Sequence, residues 1–141
     1  MVELLKRSKK EKVDLIIMRK RVGDKSSGTL VTKLARRAPC SVLFVPERAK
    51  AWYKNILVPI DFSKNSEDAM EVAIAFALAS KINEINCLHV YNVPPGFYKT
   101  GKSYEQFAEI MKGHAEKNFK EFMKKIDLKG IAAVPKFRLD N

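Results

Sequence analysis

Short apolar runs alternate along the chain with longer segments whose apolar residues recur at helical spacing. The runs predict five β-strands, at residues 13–18, 41–45, 55–60, 85–91 and 131–139. The helical spacing predicts helices at residues 2–9, 28–37, from Ser63 onward, and 103–126. Such an alternation indicates an α/β fold, in which helices cover a mostly parallel sheet.

Capping residues and prolines mark the ends of several of these elements. Ser63 stands where a helix N-cap is needed. Ser103 and Gln106 have the spacing of a capping box at the start of the last helix, and Gly130 is predicted to end that helix. Pro135 has no N–H group to donate, so the last strand is predicted to lie at a sheet edge.

Composition is that of one ordinary globular domain. The chain has 141 residues, of which 46% are hydrophobic, which is enough for a core. The sequence contains no apolar run of ~20 residues, and its start does not resemble a secretory signal. Cys40 and Cys87 are predicted to be buried thiols within strands, in a reducing compartment. We therefore expect a cytoplasmic protein without a membrane partner.

The positive charge is concentrated in the first part of the chain. The formal net charge is +11, and residues 1–54 hold 15 Lys and Arg against 5 Asp and Glu, which is +10 of that total. Such asymmetry is typical of an anion-binding surface, or of a piece of a larger protein whose neutralising acids lie elsewhere. Nucleic acid is not a predicted partner, because the sequence has no helix-turn-helix, zinc-ligand or aromatic RNA-binding motif.

Two segments resemble the universal stress protein family. Asn55–Ser63 is an apolar strand that leads into a helix cap, and Thr29–Pro46 is a helix that leads into an apolar strand. In the family the first belongs at the start of the domain and the second at its end, whereas here they are reversed. We therefore expect residues 1–46 to be the C-terminal part of such a domain, 47–54 a connector, and 55–141 an N-terminal part.

The resemblance implies a fold of five parallel strands sandwiched by helices, the adenine-nucleotide alpha-hydrolase-like or universal stress fold, with its segments in circularly permuted order. The eight-residue connector reaches at most ~26–29 Å, and a return along one strand needs ~17–20 Å. One closed, permuted domain is therefore sterically feasible, and it is the arrangement that we expect. The alternatives are a slice across a tandem protein, or two half-domains that a second chain completes.

The resemblance also implies a site for adenine nucleotide, ATP or AMP, with Mg²⁺ when ATP binds. In the family the equivalents of Pro59 and Asp61 hold the nucleoside, and the equivalent of Val90 touches the base. A glycine-rich loop wraps the phosphates, and its last positions correspond to Gly28 and Thr29. In open α/β sheets this edge, where the strand order reverses, is the usual place for a ligand.

The phosphate-binding loop departs from the family pattern. The family's first two glycines fall on Arg19 and Val22, and Gly23 is the only other glycine before Gly28. A side chain at a glycine position blocks close approach of the backbone to phosphate, although Arg19 and its basic neighbours could supply charge instead. The competing interpretations are that Asp61 only supports a turn, and that Gly28 and Thr29 only begin a helix.

A second candidate is the segment Gly96–Ser103, which matches the phosphate-loop pattern G-x4-G-K-S between a strand and a helix. Two bulky residues, Phe97 and Tyr98, stand where small ones normally allow the backbone to surround a phosphate. Three interpretations remain open: an NTPase loop, an anion site at Gly101, Lys102 and Ser103, or a loop without a ligand.

Catalytic and metal-binding residues are not predicted. His89 and His114 are expected to be packing or surface residues, because neither has a neighbour typical of a ligand set or a catalytic triad. We expect a universal stress-type protein that binds adenine nucleotide in a stress response, with at most a weak ATPase activity. The expected partner is a second copy or another universal-stress domain. The alternatives are a degenerate, non-binding dimerisation module and a phosphate-loop NTPase.

Overall fold

The structure, a computed structural model, describes residues 2–20, 25–50 and 53–140, without the side chains of residues 20 and 25–30. The chain divides into two compact units, residues 1–51 and 52–141. The division falls within the predicted connector, residues 47–54.

The first unit is a two-stranded parallel sheet with two helices. Ile16 of β1 and Leu34 of α2 are buried, whereas Leu15 and Ile17 of β1 are exposed. Since successive side chains of a strand point to opposite faces, one face of β1 is packed and the other is open. The elements are α1 (Val2–Lys10), β1 (Leu15–Lys20), α2 (Lys25–Arg37) and β2 (Ser41–Pro46), and β1 pairs with β2.

The second unit is a three-stranded parallel sheet in the order β3-β4-β5. Val58 of β3 is opposite Cys87 of β4, which in turn is opposite Pro135 of β5. This register places the end of β3, Pro59, opposite Leu88, three residues before the end of β4. The elements are β3 (Leu57–Pro59), α3 (Lys64–Ser80), β4 (Glu84–Tyr91), a short 3-10 helix (Phe97–Thr100), α4 (Tyr104–Met123) and β5 (Ala132–Leu139).

Both long helices of the second unit cover the same face of this sheet. The Sδ atom of Met70 in α3 lies 3.7 Å from the Sγ atom of Cys87. The ring of Phe119 in α4 packs at 6.0 Å against that of Phe137 in β5, which pairs with His89, two residues beyond Cys87 on the same face. The core lies between this face and the helices: Val58, Ile60, Met70, Ala73, Ile74, Ala77, Ile85, Cys87, Phe119, Phe122 and Ile131.

Two of the predicted helix starts, Ser63 and Ser103, are confirmed by hydrogen bonds. The Ser63 side chain accepts from the backbone N–H of Ser66 and caps α3, and Ser103 with Gln106 forms both bonds of a capping box on α4. The prediction for Gly130 is wrong, because α4 already ends at Met123. Gly130 instead provides a left-handed backbone (φ 84°) in the turn before β5.

All nine predicted helices and strands are present in the predicted order, and the α/β class with parallel, helix-flanked sheets is confirmed. The single five-stranded sheet in permuted order is not confirmed, because the described strands pair as two sheets of two and three strands. The strand β3 is only three residues long, and it offers few ladder hydrogen bonds for a second neighbour. Pro135 does lie on an edge strand, as predicted.

The cysteine prediction holds for one of the two residues. Cys87 is buried in β4, and burial raises the pKa of its thiol to about 11, so it stays protonated. Cys40 lies before β2 and is only half-buried, so its placement within a strand is wrong. Both thiols are free.

Candidate functional site

A pocket of about 420 Å³ opens at the carboxyl ends of β3 and β4. Its walls come from the end of β3, the first turns of α3 and the end of β4, so three separate elements converge on it. Three predicted nucleotide-binding residues, Pro59, Asp61 and Val90, are brought together here. The full lining is Pro59, Ile60, Asp61, Asn65, Ser66, Ala69, Leu88, His89 and Val90.

Asp61 is fixed by hydrogen bonds with two serines of the turn into α3. Its Oδ1 atom accepts the backbone N–H of Ser63 at 3.0 Å and the hydroxyl of Ser66 at 2.5 Å. Its own N–H donates to Oγ of Ser66 at 3.0 Å. Ser66 is buried, so it holds the exposed carboxylate in one orientation from beneath.

These bonds also keep Asp61 ionised. The hydroxyl groups of Ser63 and Ser66, with the backbone N–H of Ser63, lower the pKa of the Asp61 carboxyl to about 2. Hydrogen bonds to the charged form are the cause, and no cation is required. At neutral pH the pocket therefore presents a fixed carboxylate that can accept a hydrogen bond from a ligand hydroxyl.

Apolar residues of two strands also line the pocket. Pro59 ends β3 and Val90 lies near the end of β4, and both are exposed there. Val90 is 51% exposed, which is high for a valine in a parallel strand. A flat apolar group, such as a planar base, could cover this wall while a polar group meets Asp61.

The remaining predicted residues belong to the first unit. Arg19 lies one residue before the end of β1 and makes an exposed ion pair, its Nη2 atom lying 2.9 Å from Oε1 of Glu47. Gly23 lies outside the described residues. The helix α2 begins at Lys25, so Gly28 and Thr29 lie inside the helix and not at its start, where they were predicted. The phosphate-binding part of the predicted site therefore stays a prediction.

The segment Gly96–Ser103 uses its polar groups within the chain. Gly96 and Gly101 have left-handed backbones on either side of a 3-10 helix, and the N–H of Gly101 donates to the carbonyl of Tyr98. Ser103 donates its N–H to Gln106 and accepts that residue's N–H in return. A phosphate cradle needs several N–H groups that point at one anion. The geometry thus disfavours an NTPase loop here.

Among the lining residues that the sequence did not predict, Ser66 and His89 make the hydrogen bonds that shape the site. A usable signal for Ser66 was present, because it follows Asp61 by five residues and Ser63 by three, which places all three in one helix-start turn. His89 was predicted to be a packing residue. Its Nδ1 atom lies 2.7 Å from the carbonyl oxygen of Ile60, a contact between strands that no local pattern encodes.

The described residues contain no group of three or more His, Cys, Asp and Glu side chains placed to hold a metal ion. Within residues 2–20, 25–50 and 53–140, no helix combines the length and the apolar character that crossing a bilayer requires.

Comparison with known proteins identifies the family. The sequence model of the universal stress protein family matches residues 53–133, more than half of the chain. A crystal structure of a protein from the universal stress protein family from Burkholderia pseudomallei is similar at 16% identity, with a TM-score of 0.47, over 66% of this chain and 67% of that one. No curated protein matches. On the family match, this chain belongs to the universal stress protein family.

Proposed function

We propose that the chain is a nucleotide-binding universal stress protein that holds AMP or ATP in the pocket between β3, β4 and α3. The observation that carries the proposal is the meeting of Pro59, Asp61 and Val90 in one pocket. Its volume of about 420 Å³ is within the range of about 300–1,000 Å³ typical of small-molecule sites.

Each part of the pocket has a chemistry that suits a nucleoside. The ionised carboxylate of Asp61 accepts a ribose hydroxyl, and such charge-assisted bonds are stronger than neutral ones. Pro59 and Val90 lie against the base. A carboxylate has about four lone-pair sites, so Asp61 can accept a ligand hydroxyl in addition to its bonds with the serines.

The phosphates must lie away from Asp61, because like charges repel. Arg19, Gly23, Gly28 and Thr29 are proposed for the phosphates on the family resemblance alone, and Mg²⁺ would accompany ATP there by neutralising its charge. Binding and association, with at most a weak ATPase activity, are the proposed mode of action in a stress response.

Isothermal titration with AMP and with ATP tests the proposal. Asp61→Asn removes the charge while it keeps the size of the side chain, and we expect it to weaken binding about 10- to 100-fold. Asp68→Asn is the matched control, because Asp68 is an exposed aspartate in α3 that pairs with Lys64 outside the pocket. Equal affinity of Asp61→Asn and wild type would contradict the proposal, as would no saturable heat with wild type.

A second candidate function is association with another copy of the chain. The sheet face that α3 and α4 leave open carries Leu57 at 60% exposure and Val90 at 51%. Parallel sheets are normally covered on both faces. A second copy presents the same open face, so two copies could cover each other about a two-fold axis.

Sedimentation over a range of concentrations tests this association. We expect a wild-type dimer, which Leu57→Glu shifts toward monomer by placing a charge on the open face. Leu78→Glu is the control, since Leu78 is 48% exposed on the helix α3 and not on the sheet. A wild-type chain that stays monomeric, or equal effects of the two variants, would remove this candidate.

A further inference from the structure

His89 of β4 ties that strand to the residue before Asp61. Its Nδ1 atom lies 2.7 Å from the carbonyl oxygen of Ile60. A carbonyl can only accept a hydrogen bond, so Nδ1 must carry the proton of this bond. The N–H of Ile60 donates to the carbonyl of Leu88 at 2.8 Å. Both backbone polar groups of Ile60 are thus bonded to β4.

The residue after Asp61 has an unusual backbone. Phe62 lies in the left-handed region with φ 66°, where a bulky side chain is rare and costs free energy. Such strain persists only where surrounding contacts hold the residue in place, and it is concentrated at functional sites. The turn around Asp61 therefore needs an anchor.

The same histidine supplies that anchor. The Phe62 and His89 ring centroids are 4.3 Å apart with planes inclined by 35°, a tilted stack. On another side, the Phe62 ring meets the buried Phe122 of α4 at 5.9 Å in an edge-to-face contact. His89 contacts Phe137 of β5 at 6.5 Å in turn. The imidazole thus joins the strained residue to the sheet.

We propose that His89 is a positioning residue of the nucleotide pocket, which fixes Ile60 through Nδ1–H and Phe62 through its ring and so orients the carboxylate of Asp61 between them. The inference rests on the proposed function, because the ligand that this carboxylate meets is the proposed nucleotide. His89 acts through Asp61, and contact between the imidazole and the nucleotide is not part of the proposal.

Three histidine variants separate the hydrogen bond from the ring. His89→Phe keeps a stacked ring and removes the donor, and we expect AMP affinity to fall about 5- to 10-fold. His89→Asn places an amide N–H near the position of Nδ1 but has no ring to stack on Phe62, so it too should bind AMP less tightly than wild type. His114→Phe is the control on an exposed position of α4, and it should bind like wild type.

The inference is overturned if His89→Phe binds AMP as tightly as wild type while its far-ultraviolet circular dichroism stays native. It is equally overturned if His89→Asn, which has no ring to stack on Phe62, binds AMP as tightly as wild type. The first result would mean that the bond to the Ile60 carbonyl does not orient Asp61, and the second that the ring contact with Phe62 does not.

Nuclear magnetic resonance gives two readouts that need no nucleotide. The ¹⁵N shifts of His89 should show a ring protonated on Nδ1. The Asp61 carboxyl should titrate with a pKa of about 2 in wild type, and this pKa should rise toward 3.8 in His89→Phe and stay low in His114→Phe. A ring without a proton on Nδ1, or an unchanged Asp61 pKa in His89→Phe, overturns the inference.

These readouts distinguish a failure of the proposed nucleotide binding from a failure of the proposed role of His89. If wild type binds neither AMP nor ATP, the proposed function fails, yet the tautomer and the Asp61 pKa still decide whether His89 sets this turn. If His89→Phe does not fold, the tautomer of the wild-type ring decides.

Discussion

Two strand-to-helix junctions of the second unit look alike in sequence and differ in their hydrogen bonds. The Asp61 junction (residues 59–66) and the Gly-rich junction (residues 96–103) each lead from a strand to a helix that a serine caps. In the first, two serines bond to a carboxylate that stays exposed in a pocket. In the second, the capping serine bonds within the helix start, to Gln106.

The difference shows what a sequence motif leaves open. The Gly-rich junction matches a well-known phosphate pattern, yet its glycines terminate a 3-10 helix at both ends. The Asp61 junction matches no general phosphate or catalytic pattern, yet it has a fixed charge and a pocket. Whether donors and acceptors remain available to a ligand depends on the turn geometry, and the predictions below test that contrast.

The largest expected effect concerns the aromatic residue in each junction. Phe62 contacts the core through Phe122, whereas Phe97 packs on Tyr104 and Phe107 at the end of the unit. We expect Phe62→Ala to lower the free energy of unfolding by about 3 kcal/mol and Phe97→Ala by about 1 kcal/mol. Urea unfolding measures both.

Glycine at the same two positions tests the backbone strain. Because Phe62 has φ 66°, Phe62→Gly should be more stable than Phe62→Ala, by about 1 kcal/mol. Position 97 lies in the 3-10 helix without a positive φ, so the order of Gly and Ala should be reversed there. The same order at both positions would show that the Phe62 backbone is not strained.

Serine substitution gives a smaller effect. Ser66→Ala leaves the N–H of Asp61 without its acceptor and removes a bond to the carboxylate, which should cost about 2 kcal/mol of unfolding free energy. Ser103→Ala removes a helix cap, worth about 1 kcal/mol. If urea unfolding shows equal losses of unfolding free energy in the two variants, the two serines contribute equally to the stability of their junctions.

Acid should affect the Asp61 junction more than the other. The pKa of Asp61 is lowered to about 2, so its contribution to stability is present above its ordinary value of 3.8 and is lost as the pH falls through about 2. The pKa of Glu105 in the Gly-rich junction is also lowered, by a bond from its own backbone N–H and one from the Ser103 side chain. Between pH 5 and pH 2, the midpoint temperature of thermal unfolding should vary less with pH in Asp61→Asn than in Glu105→Gln. A larger loss of this pH dependence in Glu105→Gln than in Asp61→Asn would contradict this expectation.

The smallest expected effect is that of Lys102→Ala. Lys102 is exposed in the Gly-rich junction, and the proposed site does not include it. Urea unfolding and AMP affinity should both match wild type within error. A loss of ATP binding in this variant would support the alternative hypothesis of an anion site at Gly101, Lys102 and Ser103.

Sequence patterns predicted local features of this chain well and long-range pairing poorly. The serine caps at Ser63 and Ser103 depend on neighbours within three residues, and the structure has both. The union of all five strands depends on pairing between distant segments, which apolar runs do not encode, and it is not confirmed.

The same limit applies to the candidate site. Pro59, Asp61 and Val90 were predicted from the family resemblance, and the structure brings them to one pocket. The bond from His89 to Ile60 joins residues 29 positions apart, and the left-handed Phe62 results from packing against α4 and β4. Neither leaves a periodic or local signal in the sequence.

Chemical-shift mapping with AMP and ATP tests the central claim most directly, because it reports both junctions in one protein without a substitution. The account predicts saturable shifts of the backbone amides of residues 61–66 and of Val90, with little change at residues 96–103. Shifts concentrated at residues 96–103, or no saturable shift at residues 61–66, would contradict it.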